Sequence, residues 1–124
     1  MAQDPRTRRE HGLPRLQRAL RNSLRGLGAA WRHEPAFREE LILLLPLVPA
    51  ALLLGADGTE RAILLGSLLL ILVAELLNSG IEAAVDRVGE AWHPLAERAK
   101  DLGSAGVLVA LVNAAALWLL VLLG

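Results

Sequence analysis

The sequence is 124 residues long, 54% hydrophobic and 21% charged, with 13 basic and 13 acidic side chains and no cysteine. One domain is the expectation at this length, disulfides and thiol chemistry are excluded, and so many charges beside an apolar majority must be segregated along the chain, as in a membrane protein with wet ends. Aromatic residues make up only 3%, too few to interleave with the arginines, so a nucleic-acid partner is not expected.

Residues 1–12 are polar and predicted to be frayed, and the polar start predicts no secretory leader. Over 13–33, Leu13, Leu16, Leu20, Leu24, Leu27 and Trp31 recur every three or four residues, which is one stripe of an α-helix. Arg15, Arg18, Arg21, Arg25 and Arg32 fill the other faces. A basic amphipathic helix of this kind is expected to lie on an anionic membrane surface, its arginine stems reaching the headgroups; packing in a soluble protein is the alternative.

The first apolar run, 41–55, is short of the roughly 20 residues that a bilayer core needs. A helix over 36–55 supplies the missing turn, with Pro46 and Pro49 kinking it. Residues 56–61 read as a compact polar turn. The second run, 62–74, meets no breaker and continues through Glu75, Asn78, Glu82 and Asp86, spaced three, four and four residues apart. These form a polar stripe on one helix, predicted over 62–88, that leaves the membrane as an amphipathic rod. Residues 89–94 break it. The third run, 102–123, spans comfortably within a helix over 100–123, and Asn113 is its only strongly polar member. The expected fold is all-α, one membrane domain over 1–124 with three transmembrane helices and an amino-terminal amphipathic surface helix.

Lysine and arginine number nine before residue 41, one in the 56–61 turn and three over 87–100. The positive-inside rule then places the amino terminus and the 87–101 loop in the cytoplasm and the carboxyl terminus outside. Nearly all acidic residues fall on the cytoplasmic side or at its membrane edge, so polar chemistry is expected there.

Glu75 follows thirteen uncharged residues. A carboxylate at that depth is costly unless solvated or paired, and function is the first hypothesis for it, with proton abstraction the natural role. The alternative is an interfacial glutamate paired with an arginine. Glu82 and Glu34 lie on separate segments and could share one Mg²⁺ with phosphate and water, or be solvated. Asn78 could orient a carboxylate or a substrate hydroxyl, or bond between helices. Lys100, the only lysine, could touch phosphate or anchor the third span. No G-x-x-x-x-G-K-[ST] loop, soluble protein-kinase set or zinc-helix histidine spacing occurs; Gly26-Leu27-Gly28 is a weak glycine pattern.

Three strings add a resemblance. Ala29-Ala30-Trp31-Arg32-His33-Glu34-Pro35-Ala36-Phe37-Arg38-Glu39-Glu40 precedes the first span. Glu75-Leu76-Leu77-Asn78-Ser79-Gly80-Ile81-Glu82-Ala83-Ala84-Val85-Asp86-Arg87 leaves the second, and Arg98-Ala99-Lys100-Asp101-Leu102-Gly103-Ser104-Ala105 enters the third. In order and spacing they resemble the prokaryotic diacylglycerol kinases, from roughly Arg15 to the end. The resemblance implies a homotrimeric helical bundle in the bacterial cytoplasmic (inner) membrane, with active sites between neighbouring subunits, and transfer of phosphate from MgATP to diacylglycerol to give phosphatidic acid. It implies Glu75 as general base with Asn78 supporting it, and Glu34 and Glu82 holding the Mg²⁺ of ATP. Nucleotide contacts fall on Arg15, Asn22, Glu34, Glu82, Ala91, Trp92, His93, Lys100 and Asp101. Glyceride contacts fall on Arg15, Leu20, Arg21, Ser23, Leu24, Gly28, Ala29, Ala30, Trp31, Ala36, Phe37, Arg38, Glu39, Glu40, Glu75 and Ser104. Asn22 departs from an aromatic in the family, and Pro35 follows a metal ligand.

Two rival readings stand beside this one. An undecaprenol kinase would use the same machinery on another lipid alcohol; that branch favours Asn-Phe-Arg where this chain has Ala36-Phe37-Arg38, and leucine where it has Arg87. A non-enzymatic oligomeric channel or regulator would line a pore with Glu75 and have no need of Glu82.

Overall fold

The computed structural model describes residues 11–124, which form α-helices and short connections. Of the stretch 1–12 expected to fray, residues 1–10 lie outside the described residues. The helices are α1 (Leu13–His33), α2 (Pro35–Leu44), α3 (Leu47–Leu54), α4 (Gly58–Val88) and α5 (Pro94–Leu123).

Proline and single-residue links set most of the boundaries. Glu34 is extended between α1 and α2, and Pro35 opens α2, where its fixed φ suits a helix and its missing N–H costs nothing. Arg38 closes this corner: its Nη1 donates to the carbonyl oxygens of Trp31 (2.8 Å) and Arg32 (3.1 Å), two acceptors that the end of α1 leaves open. The helix expected over 36–55 is interrupted at Leu45 and Pro46, which keep right-handed helical dihedrals between α2 and α3. Pro46 brings no N–H to the ladder and its ring crowds the carbonyl of Ile42, so α2 ends at Leu44 and α3 begins at Leu47. Pro49 is tolerated because it sits in the first turn of α3, where N–H groups have no intrahelical partner.

Two helices start earlier than their apolar runs. Gly58 to Arg61, expected in a turn, are the first turn of α4, because the Asp57 carboxylate accepts from the Glu60 N–H (2.9 Å). The Glu60 carboxylate in turn accepts from the Ala56 N–H (2.6 Å), a variant of the capping box. Asp57→Ala is expected to cost about 1 kcal/mol of stability, seen as a lower thermal unfolding midpoint in detergent. α5 starts at Pro94, six residues before the predicted 100, because His93 Nδ1 accepts from the Leu95 N–H (3.1 Å). Between these helices Gly89 has φ +148°, a conformation that side chains disfavour.

α4 and α5 pack along one another, with α2 and α3 against α4. Leu44, Leu68, Ile71, Ala110 and Ala114 form the core; the alanines let the two long helices approach closely. Beside it, Trp118 Nε1 donates to Ser67 Oγ (3.0 Å), whose hydroxyl donates to the Leu64 carbonyl (2.7 Å), so the Ser67 hydroxyl and the Trp118 indole N–H are both satisfied. α4 and α5 are each long and apolar enough to cross a membrane. Outward faces stay apolar and uncovered: Leu108, Val109, Val112, Leu119 and Leu120 on α5, and the stripe Leu13, Leu16, Leu20, Leu24, Leu27 and Trp31 on α1. Exposed apolar area of this extent marks contact with lipid or another chain.

Candidate functional site

Glu75 is 5% exposed, on the α4 face that also buries Leu64, Ser67, Leu68, Ile71 and Ser79. Steps of three and four residues keep these positions in one row, so the helix that builds the core carries a carboxyl group inward. Glu40 of α2 meets it. The two carboxyl groups are within hydrogen-bonding reach, and Glu40 Oε2 is buried without a donor. An ionised carboxylate only accepts, so this contact needs a proton between the two groups or a donor brought from outside. Glu34, in the corner before α2, and Glu82, two turns along α4, are close enough for their charges to act on Glu75.

Among the described residues no group of three or more histidine, aspartate or glutamate side chains converges as a metal site. A pair of carboxylates such as Glu34 and Glu82 nevertheless suits Mg²⁺, which keeps several waters and is commonly held by one or two carboxylates plus substrate phosphates.

Lys100 Nζ pairs with Asp86 Oδ1 at 2.7 Å, joining α5 to α4, and Glu82 lies within electrostatic reach of the same ammonium. Both Lys100 and Asp86 line a cleft of about 590 Å³ with Glu90, Ala91, Trp92, His93 and Glu97. The Trp92 indole is held there, donating to Glu97 Oε2 at 3.0 Å. Three expected nucleotide contacts in the 91–93 loop therefore meet the expected lysine. Asp101 does not join them. One residue on along α5 is about 100° around the helix, and Asp101 lines a separate hollow with Pro94, Arg98 and Leu102.

Other expected contacts are placed less directly. α1 packs against α2, and neither Arg15 nor Asn22 lines the cleft. Arg15, Leu20, Arg21, Ser23 and Leu24 are exposed on α1, and Ser23 Oγ donates to the Ala19 carbonyl at 2.9 Å. Ala29, Trp31, Ala36, Glu39 and Ser104 are exposed, and Gly28 partly so; Ala30 and Phe37 are buried in the chain's own packing. Arg38 is engaged by the α1 carbonyls. Asn78 lies against Gly103 of α5, its carboxamide oxygen buried and without a partner.

The contact of Glu40 with Glu75 is the feature that residue patterns missed, since Glu40 was expected to touch lipid only. One signal pointed to it: Glu40 is the last charge before one long apolar run and Glu75 is the first charge after another.

Comparison with known proteins gives an independent observation. Residues 21–122 match a family model described as prokaryotic diacylglycerol kinase. The chain is similar to the diacylglycerol kinase of Pseudomonas aeruginosa PAO1, 48% identical over 113 residues covering 91% of this chain and 92% of that one. It is 44% identical over 111 residues to the diacylglycerol kinase of Escherichia coli K12, covering 90% and 91%, and 43% identical over 107 residues to that of Helicobacter pylori 26695, covering 86% and 84%.

Proposed function

The chain belongs to the prokaryotic diacylglycerol kinase family, and on that premise we propose that it transfers the γ-phosphoryl group of ATP to the primary hydroxyl of membrane diacylglycerol, giving phosphatidic acid, with Glu75 as general base. The observation that carries the residue roles is the buried Glu75 carboxyl group with Glu40 within hydrogen-bonding reach and Glu34 and Glu82 close enough for their charges to act on it, a few turns from the Lys100 cleft.

The chemistry follows from that placement. Phosphoryl transfer needs in-line placement and charge neutralisation more than covalent help. The glyceride keeps its acyl chains in the bilayer, so only its head must reach Glu75, which takes the hydroxyl proton as the O–H bond breaks. The freed oxygen bonds to the γ-phosphorus, and ADP leaves with the bridging oxygen. Lys100, steadied by Asp86, would present positive charge to the phosphates. Glu34 and Glu82 would hold magnesium, which when bound supplies charge neutralisation on the phosphate oxygens.

The wider arrangement we propose has three membrane crossings, α2 and α3 together making the first, with α1 on the cytoplasmic surface of the bacterial inner membrane and the carboxyl terminus outside. The distribution of arginine and lysine supports it, as does the uncovered apolar stripe of α1. A homotrimer suits the apolar faces that the single chain leaves open. It also gives Arg15 and Asn22 a route to nucleotide, on a neighbouring subunit's cleft instead of their own.

The test is detergent-purified protein with radiolabelled ATP, Mg²⁺ and a panel of lipid alcohols. Labelled phosphatidic acid is expected. Label on undecaprenol alone would overturn the substrate, and no labelled lipid from any alcohol would overturn the activity.

A further inference from the structure

We infer that Gly103 is a positioning residue for phosphoryl transfer, acting through Asn78; the inference rests on the kinase reading above. Asn78 lies one turn beyond Glu75 on α4, in the row that neighbouring turns share. Across the helix interface stands Gly103 of α5. A methyl group there would collide with the Asn78 carboxamide oxygen, lie 3.3 Å from its Cγ and sit 3.5 Å from Ile81 Cδ1. No backbone atom is among these neighbours. The collision is therefore with the movable end of one side chain, and turning the carboxamide relieves it.

The missing side chain thus leaves room for this orientation of Asn78, which a methyl group at 103 would block. In that orientation the Asn78 oxygen is buried and has no hydrogen-bond partner. A buried acceptor without a donor is costly, and such exceptions call for an explanation. The substrate provides one. The glyceride hydroxyl arrives with a hydrogen, and Glu75 carries that hydrogen once it has accepted the proton. The Asn78 oxygen can accept a hydrogen bond from either group, holding the hydroxyl in line before transfer or the protonated acid after it. Asn78 takes no proton itself, so the balance of the transfer is unchanged.

The test is Gly103→Ala, purified in detergent and assayed beside the unaltered protein with MgATP and a short-chain diacylglycerol. kcat is expected to fall about tenfold or more, with the KM for ATP and for lipid each within twofold of the unaltered value. A second readout does not depend on activity. The chain has three asparagines, Asn22, Asn78 and Asn113, so asparagine-selective ¹⁵N labelling gives three side-chain amide pairs. Only the Asn78 pair should move in Gly103→Ala. Unchanged kcat, a rise in KM that accounts for the loss, or an unmoved Asn78 signal would each overturn the inference. A Gly103→Ala protein that does not fold would overturn it as well, since turning one carboxamide cannot unfold the chain. Failure of the kinase reading is separate, because it would show as an inactive unaltered protein.

Discussion

Glu75→Gln is expected to lower kcat for phosphatidic acid formation by roughly 10²–10⁴-fold, the usual worth of a positioned general base, with the KM for MgATP little changed. The substitution keeps shape and removes the ability to take a proton. The prediction is sharpened by Glu40. A glutamine at 75 brings an N–H₂ donor to a site where two carboxyl groups now meet and where Glu40 Oε2 has no donor. The variant should therefore unfold at a temperature no lower than the unaltered protein, because a buried acceptor gains a partner. Labelled-lipid assays and thermal unfolding, run on the same preparation, check both halves. A large loss of activity accompanied by a lower unfolding temperature would assign Glu75 to structure instead of chemistry.

The second large effect belongs to the metal carboxylates. Glu34→Gln and Glu82→Gln should each weaken use of MgATP by at least the roughly 10–100-fold that follows loss of a group that only orients a metal's ligands. The signature differs from that of Glu75. Losing one of two carboxylate ligands weakens metal binding without removing the proton acceptor, so raising Mg²⁺ should recover part of the activity. A Mg²⁺ titration of kcat/KM for ATP reads this directly. Glu75→Gln should show no such recovery. A Glu82→Gln protein with an unshifted Mg²⁺ curve would remove Glu82 from the metal role.

Periodicity showed that the chain is helical, and the position of Glu75 after an uncharged run marked it as the residue to watch, because both depend on local spacing. Helix starts were less visible. Asp57-Gly58-Thr59-Glu60 reads as a turn by composition, yet Asp57 and Glu60 cap a helix. His93-Pro94 ends one break and begins α5 by the same logic of caps and first-turn proline. Contacts between segments were illegible for a different reason. Glu40 meeting Glu75 depends on how far α2 descends beside α4, which is fixed by the one-residue corner at Glu34 and by the Arg38 bonds to Trp31 and Arg32. The Arg38 bonds could not be read from the sequence because their acceptors are backbone carbonyls, which leave no trace in side-chain patterns. Lys100 and Asp101 looked equivalent as neighbours in sequence, and the turn of the helix sends them to different hollows.

These predictions share the proposed division of labour among four acidic side chains, in which Glu34 and Glu82 would hold the metal, Glu75 would take the proton and Glu40 would attend Glu75. The most direct measurement is an experimental structure of the assembled protein with Mg²⁺ and a non-hydrolysable ATP analogue. Carboxylate oxygens of Glu34 and Glu82 are expected on the metal at about 2.0–2.1 Å, with Glu75 off the metal and open to the lipid side. A metal ligated by Glu75, or held by carboxylates other than those at 34 and 82, would contradict it.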